Sequence, residues 1–317
     1  MNKTFNLLSA VVGFTLFLGL LPSCGSKPNP QYDEAAKCIA IDESLKPVMD
    51  EELQAFHAKT RLGPLYPLYI NEQDAVDSLL NQKVFLIYTT RRLTPKEESI
   101  LKSRQYNARI VPAAFDALAL IVHKDNPDTV ITVEKVKKIL SGQVTTWKEI
   151  FPDSKLDTIR VAFDNPRSSA VRFCNDSILA GQEMKTSGNI RAVNSSPAVI
   201  EYVEKHKGAI GIVGCNWLDS HHNENNLTYG RGITKMAVGT TPLNAEKPEQ
   251  RTIALGQYPF LRTIYSICTD PRSTGTPRRF HNFVLNPGEG DLGQRIFHSA
   301  GLWPAYRDYV IREVQVK

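Results

Sequence analysis

The chain has 317 residues, of which 42% are apolar and 22% are charged, as is usual for a globular protein with one large or two medium domains. Its formal net charge is only +5 and its basic residues are scattered, which excludes a continuous nucleic-acid-binding stripe. The sequence contains no tandem repeat and no low-complexity tract, which excludes the repeat architectures.

The N-terminus has the pattern of an export signal. Lys3 precedes an apolar run over residues 7–21, which has the length of a signal-peptide core and is short for a membrane span. The run ends in LPSCG, which resembles a bacterial lipobox with the lipid attached to Cys24. We therefore predict a lipoprotein signal peptide over 1–23, a flexible tether over 24–35, and an exported protein on the periplasmic or cell-surface side that contacts the membrane through its lipid only. An uncleaved anchor with an incidental cysteine is the alternative.

Strands and helices alternate through the first hundred residues. The segment 84–89, VFLIYT, is too uniformly apolar for an edge strand and suits a buried parallel one. Thr94, Pro95 and Glu97 have the spacing of a capping box that begins a helix. This alternation indicates an α/β domain with a largely parallel sheet. The other elements predicted here are strands over 38–41 and 66–70 and helices over 45–58 and 72–80.

The rest of the chain continues the same alternation. A continuous apolar strand over 117–122 comes first, and the glycines of AIGIVG suit a strand that other backbone approaches closely. The predicted strands are 117–122, 159–163, 209–214 and 259–269, and the predicted helices are 133–141, 147–151, 196–205, 277–285 and 290–300.

The stretch from Thr158 to Ala180 has the features of an anion pocket. A strand leads into a turn at Asn165-Pro166 and then into a helix with Ser168 and Ser169 at its start. A helix start presents unpaired N–H groups and the positive end of the macrodipole, which favour an anion. Arg167 and Arg172 lie beside it. A plain serine cap on a surface helix is the alternative.

The cysteines and histidines do not form a recognisable reactive motif. Four cysteines follow Cys24, namely Cys38, Cys174, Cys215 and Cys268, and their even number permits two disulfides. Each lies in an apolar stretch, which favours buried free thiols. None of the seven histidines belongs to a nucleophile motif, and adjacent His221 and His222 do not share a helix face, so we expect no enzyme, no cofactor and no metal site.

Six segments in order resemble the phosphate-binding-protein family of ABC-importer substrate-binding proteins. The resemblance covers nearly all of 38–317 and implies an α/β, bilobed type II periplasmic-binding-protein fold, in which two crossing strands join two mixed-sheet α/β lobes. It places lobe one at 36–122 with 259–317 and lobe two at 123–258, with hinge closure around a ligand. The protein is expected to be a monomer. The six segments are FDALALIVHKDNP, ILSGQVTTWKEIFP, NPRSSAVRF, GAIGIVG, YPFLRTIY and FHNFVLNPGEGDLGQRIFHSAGLWP.

The resemblance also implies the ligand and the residues that bind it. The ligand is phosphate or a similar oxyanion, and the partner is an ABC permease–ATPase complex. The alternative is a bilobed sensor or scaffold without anion transport. Each serine also has an alternative as a simple helix cap, and Arg91 as a surface ion pair. The implied binding residues, on four polar loops, are Ser44; Thr89, Thr90 and Arg91; Arg167, Ser168, Ser169 and Arg172; and Ser195 and Ser196.

The segment NPRSSAVRF (residues 165–173) resembles the anion loop of the family, which has the pattern Ser-Gly-Thr. This anion loop and its surroundings depart from the family pattern at several positions. The family's threonine falls at Ala170 and its glycine at Ser169, while its arginine falls near Phe163 or Asp164. The aspartate that accepts the proton of a bound phosphate falls near Thr90. A buried carboxylate suits a protonated anion and repels a fully ionised one. These departures leave another oxyanion or an acidic small molecule as possible ligands.

Overall fold

One long mixed sheet runs through the molecule. The computed structural model describes residues 30–185, 188–219, 232–287 and 290–306. The predicted signal peptide over 1–23, the lipidation at Cys24 and the histidine pair His221 and His222 lie outside the described residues.

The strands of this sheet pair in the order β2-β1-β3-β11-β4-β8-β6-β7, and β9 and β12 also pair with β4. A separate parallel pair is formed by β5 and β10. The strands are β1 (Cys38–Asp42), β2 (Tyr66–Ile70), β3 (Leu86–Thr89), β4 (Arg109–His123), β5 (Val130–Thr132), β6 (Arg160–Phe163), β7 (Ile190–Ala192), β8 (Ala209–Gly214), β9 (Ile233–Lys235), β10 (Ala237–Gly239), β11 (Leu261–Cys268) and β12 (Trp303–Pro304).

The helices cover the sheet, and most of them lie where the sequence predicts; three short helices, over residues 30–35, 216–219 and 250–254, were not predicted. A 3-10 turn over Glu43–Leu45 precedes α2, and a π-helical turn over Cys174–Ile178 follows α6. The helices are α1 (Pro30–Ala35), α2 (Lys46–Lys59), α3 (Glu72–Leu80), α4 (Pro95–Ser103), α5 (Val133–Leu140), α6 (Ser169–Phe173), α7 (Ser196–Lys205), α8 (Asn216–Asp219), α9 (Gln250–Ala254), α10 (Thr276–Leu285) and α11 (Leu292–Ser299).

The two ends of the sheet form two lobes. In lobe one, β1 is parallel to β2 and β3, while β11 is antiparallel to β3 and β4. In lobe two, β6 is parallel to β7 and β8, while β8 is antiparallel to β4. Both halves are therefore mixed rather than largely parallel. The bilobed α/β architecture predicted from the sequence is confirmed.

The chain crosses between the lobes in β4 and again at the start of β11. Ala117 pairs with Leu261, whereas the next residue, Leu118, pairs with Gly214 of lobe two. The hydrophobic cores change at the same place, because Ala114 packs in the core of lobe one and Ala117 in the core of lobe two. The boundaries at 122/123 and 258/259 stay a prediction.

One helical prediction needs revision. The predicted helix over 147–151 is wrong, because the segment forms a single turn after an isolated bridge between Thr146 and Thr158. Five residues are too few to sustain a helix without help, and Trp147 is fully buried with its Nε1 donating to Gly208 O at 3.1 Å. Trp147 packs in the core of lobe two. None of the four cysteines that the structure describes forms a disulfide.

The end of the predicted tether is part of the folded domain. Residues 30–35 form α1, in which Tyr32 is 8% exposed. The Tyr32 ring lies 4.9 Å from the ring of Phe85, its hydroxyl donates to Asp270 Oδ1 at 2.8 Å, and Arg272 stacks over it at 3.5 Å. An aromatic side chain with an apolar and a polar partner holds the segment on lobe one. None of the described helices is long and apolar enough to cross a membrane.

We expect Tyr32→Ala to lower the free energy of unfolding by about 2–4 kcal/mol, because it removes a buried ring and a buried hydrogen bond. Tyr66→Ala is the matched control, since the Tyr66 side chain is 55% exposed and its loss should cost less than about 1 kcal/mol. Urea denaturation of the full-length protein in detergent measures both. Equal effects of the two substitutions would mean that α1 does not stabilise the fold.

Candidate functional site

The lobes meet where β1 and β6 end and helices begin. Asp42 ends β1, and its Oδ1 accepts a hydrogen bond from the Ser44 N–H at 2.8 Å. Ser169 is the first residue of α6, which follows β6. The Ser44 and Ser169 hydroxyls, one from each lobe, lie 3.2 Å apart and are both buried. This edge is where open α/β sheets place ligands, at strand ends and helix starts.

Ser168 acts as the cap of α6. Its backbone is extended and its Oγ accepts a hydrogen bond from Val171 N at 3.2 Å. The cap satisfies one of the unpaired N–H groups at the start of the helix, as the sequence predicts for Ser168 or Ser169. The neighbouring Ser169 hydroxyl is thereby aimed across the cleft.

An arginine from a crossing strand lies between these two serines. Arg262 on β11 donates from Nη1 to Ser169 Oγ and from Nη2 to Ser44 Oγ, both at 3.2 Å. Its partner in the β11–β4 register is Asp116, whose Oδ2 lies 2.8 Å from Arg262 Nε and 2.7 Å from Nη2. Both side chains of this pair are essentially unexposed, at 1% and 0%. Although burial alone lowers it, the pKa of Arg262 is raised because the carboxylates of Asp116 and Asp42 are close. The guanidinium is a fixed charge shared by both lobes.

Gly214, the last residue of β8, leaves room for this guanidinium. A Cβ at position 214 would collide with Arg262 Nη2 and would lie 3.2 Å from Asn216 Nδ2. The Asn216 amide donates to the Ser44 carbonyl oxygen at 2.7 Å, which links lobe two to the turn that carries Ser44. A glycine is therefore required here by close approach of side chains rather than by its backbone angles.

Several buried carboxylates lie around the single guanidinium of Arg262. Asp42 Oδ2, Asp116 Oδ1 and Asp164 Oδ1 are buried and accept no hydrogen bond from the described residues. Burial, and then the nearby Glu72 carboxylate, raise the pKa of Asp42 to about 7. Burial also raises the pKa of Asp164 and of Glu43. The centre of the cleft therefore offers acceptors as well as donors.

A second buried cluster joins the lobes beside the first. Glu72, at the start of α3, accepts hydrogen bonds from Thr90 N at 2.7 Å and Thr90 Oγ1 at 2.9 Å. Arg172 of lobe two forms an ion pair with Glu72 through Nε and donates from Nη2 to Thr90 Oγ1 at 3.0 Å. Arg172 and Thr90, predicted as ligand contacts, thus contact each other and Glu72.

The other predicted site residues lie around these clusters. Arg91 makes a two-bond ion pair with Glu97, both bonds at 2.8 Å, as its ion-pair alternative describes. Arg167 pairs with exposed Asp74 at 2.8 Å. The remaining contacts are Thr89 Oγ1 to Arg91 O at 2.8 Å, Ser195 Oγ accepting from Ala198 N at 3.3 Å as a helix cap, and Ser196 Oγ to Glu43 Oε2 at 3.0 Å. Their roles as ligand contacts stay predictions.

Sequence reasoning missed the residues at the centre of the site. Arg262 is a charged residue inside the apolar strand PFLRTIYSIC, and Asp116 is one inside AAFDALAL. A charge in a buried strand needs a charged partner, so these two interruptions were the available signal. Glu72 was hidden in a predicted helix start, where an acidic residue is ordinary.

A comparison with known families decides the classification. The family model of a PBP superfamily domain matches residues 30–287.

The chain belongs to the PBP superfamily.

Among curated proteins, this PBP-superfamily chain is similar to the phosphate-binding protein PstS of Borreliella burgdorferi, with 22% identity over 282 residues, covering 88% of this chain and 93% of that protein. It is also similar to Protein SphX of Synechococcus elongatus, with 27% identity over 212 residues, covering 63% of this chain and 59% of SphX.

Two solved structures share the PBP fold with this chain. A Clostridium perfringens protein, described as a phosphate ABC transporter substrate-binding protein and solved with bound phosphate, superposes with a TM-score of 0.67 at 19% identity, covering 84% of this chain and 99% of that one. An ABC-type phosphate transport receptor from Vibrio cholerae superposes with a TM-score of 0.62 at 17% identity, covering 84% and 98%. At these identities, the likeness establishes the fold.

We expect Asp116→Ala to lower the free energy of unfolding by about 3–5 kcal/mol, because it leaves the buried Arg262 charge without its main partner. The double variant Asp116→Leu/Arg262→Met removes both charges and should cost less than the single one. Chemical denaturation of the two proteins measures the difference. If the double variant is less stable than Asp116→Ala, the interpretation is wrong that Arg262 and Asp116 form a charge pair that is costly to bury.

The stability of the protein should depend on pH through Asp42. The pKa of Asp42 is about 7 in the folded protein against 3.8 ordinarily, so the contribution of this group is fully present below about pH 4 and is lost as the pH rises through 7. The unfolding free energy of the wild type relative to Asp42→Asn should fall between pH 4 and 8, by at most about 1.4 kcal/mol per pH unit. Exposed Asp153→Asn is the control, and a flat difference for both variants would contradict the assignment to Asp42.

Proposed function

We propose that this protein captures phosphate or a similar small oxyanion between its lobes and presents it to an ABC permease–ATPase complex. The observation that carries the proposal is the position of Arg262, whose guanidinium donates to one serine of each lobe at the junction of strand ends and helix starts. Arginine and hydroxyl donors at such a junction suit the oxygens of an ionised anion. The names of the similar phosphate-binding proteins support phosphate as the first ligand to test.

Arg262 supplies a guanidinium in place of the arginine that the family has before its anion loop. The position of the family's arginine is taken by Phe163 or Asp164, and Arg262 brings a buried guanidinium to Ser169 from another strand. The charge that helps to bind an anion can therefore come from β11 rather than from the loop itself.

Two carboxylates lie where they can replace the aspartate that the family has near position 90. No aspartate stands at position 90, but the Glu72 carboxylate lies against Thr90 and the buried Asp42 has an oxygen without a partner among the described residues. A carboxylate at the site favours an oxyanion that still carries a proton over a fully ionised one. We therefore expect phosphate to bind more tightly than sulfate.

Binding requires the lobes to separate and close. The Ser44 and Ser169 hydroxyls are 3.2 Å apart, so an oxyanion held by both must first push them apart and then take their hydrogen bonds. A hinge at β4 and β11, the two strands that carry Asp116 and Arg262, would allow this movement. Ligand would shift the equilibrium toward the closed form that the permease recognises.

The setting of the protein is part of the same proposal. We infer a monomeric, exported lipoprotein that is tethered through Cys24 on the periplasmic or cell-surface side, binds its ligand without chemistry, and needs no cofactor or metal. The family is one of solute-binding proteins rather than enzymes. A sensor or scaffold that keeps the fold without anion transport is the alternative function, and the direct serine-to-serine contact across the cleft is the observation that favours it.

Isothermal titration calorimetry of the full-length protein in detergent with phosphate and sulfate tests the proposal. Ser44→Ala and Ser169→Ala should each weaken phosphate binding by about 10- to 100-fold, because each removes one hydrogen bond to a charged ligand. Exposed Ser99→Ala is the control and should bind as the wild type does.

A second matched pair of variants tests the role of Arg262 without removing it. Gly214→Ala should weaken phosphate binding because the added Cβ displaces the guanidinium, whereas Gly63→Ala, with no atom within 4 Å of its Cβ, should not. Absence of binding by phosphate, sulfate and related oxyanions to the folded wild type would overturn the proposal and favour the sensor or scaffold.

A further inference from the structure

Lobe one presents a ready-made acceptor site for a guanidinium. The Glu72 carboxylate is only 2% exposed, is held by the backbone N–H and the hydroxyl of Thr90, and lies 3.9 Å from Arg91 Nε, all from its own lobe. Because Thr90 Oγ1 donates to Glu72, its lone pairs remain able to accept another hydrogen bond. The acceptor site formed by Glu72 and Thr90 therefore exists independently of lobe two.

Arg172 of lobe two fills this acceptor site. Its Nε pairs with Glu72 Oε2, and its Nη2 donates to Thr90 Oγ1 at 3.0 Å and to Thr90 O at 3.3 Å. All three acceptors belong to lobe one. The Arg172 side chain is 25% exposed, so this ion pair is largely shielded from water.

Arg172 is rigidly connected to the anion loop. It lies in α6, three residues after Ser169, and its backbone N–H donates to Ser168 O at 3.1 Å. The movement that brings Ser169 to Ser44 therefore also brings Arg172 to Glu72. Closure and formation of this ion pair are one event.

We propose that Arg172 is a latch that stabilises the closed form of the protein through Glu72 and Thr90, in the absence of ligand and without contacting it. Arg172 is thus a positioning residue, in place of the ligand contact that the sequence suggested. The consequence is a closed population before any anion binds. This inference concerns closure itself and does not depend on which anion the protein binds.

A second interlobe ion pair supplies an internal comparison. Arg167, two residues before α6, pairs with Asp74 of α3 at 2.8 Å, but these side chains are 57% and 40% exposed. Exposed pairs contribute little because water and salt screen them, whereas a buried, multiply hydrogen-bonded pair contributes more once closure is possible. The latch should therefore be specific to Arg172, although both arginines bridge the lobes.

Single-molecule energy transfer on the full-length protein in detergent tests the latch. Dyes are attached through unnatural amino acids at exposed Lys96 of lobe one and exposed Lys148 of lobe two, which leaves the cysteines untouched. Without anion, the wild type should populate a closed state, and Arg172→Met should lower its closed-to-open ratio about tenfold or more. Arg167→Met should change the ratio by less than about twofold.

Glu72→Gln, which removes the same ion pair from lobe one, should lower the ratio as Arg172→Met does, and the double variant should add little. This second variant keeps the test valid if Arg172→Met folds poorly. Equal effects of Arg172→Met and Arg167→Met, or no effect of either, would overturn the latch.

Titration of inorganic phosphate separates a latch from a ligand contact. If Arg172 acts only through closure and its ion pair with Glu72 also forms in the phosphate-bound closed form, phosphate affinity should fall by the factor that the anion-free closed fraction falls, and saturating phosphate should restore full closure. A larger loss of affinity would overturn the proposal by indicating direct contact. If phosphate does not bind at all, the proposed ligand is wrong, while the anion-free comparison of the two arginines still decides the latch.

Discussion

The burial of one guanidinium between two lobes constrains much of this structure. A charge taken out of water at Arg262 requires a carboxylate beside it, and Asp116 supplies that carboxylate from the neighbouring strand. The remaining N–H groups require acceptors, which are the serine hydroxyls at the starts of two helices. Gly214 leaves the space, and both crossing strands take part. The buried charge pair therefore lies on the two strands that connect the lobes.

Much of the fold could be predicted because its signals are local. Capping residues such as Thr94 and Ser195, and apolar runs such as those of β4 and β8, depend on neighbours within a few residues. The segment 147–151 was mispredicted because the burial of Trp147 depends on Gly208, which is distant in the sequence. Packing at such a distance overrides a short helical pattern.

The site was less predictable because its contacts join remote segments. Arg262 and Asp116 are 146 residues apart, and the sheet register that pairs them cannot be read from the sequence of either strand alone. The structure places Arg172 between the lobes, and its acceptor Glu72 lies 100 residues earlier in an ordinary helix start. A sequence shows which side chains are charged, but only the fold decides whether each of them pairs with a ligand or with another side chain.

Under the proposed lipidation at Cys24, the position of α1 limits how far the protein can stand from a membrane. Since α1 begins at Pro30 and packs on lobe one, only residues 25–29 lie between the lipidated cysteine and the folded domain. Five fully extended residues span at most about 18 Å. With such an anchor, lobe one would stay next to the bilayer. The proposed permease lies in the same bilayer, so the short distance between Cys24 and α1 would keep the protein within reach of that permease.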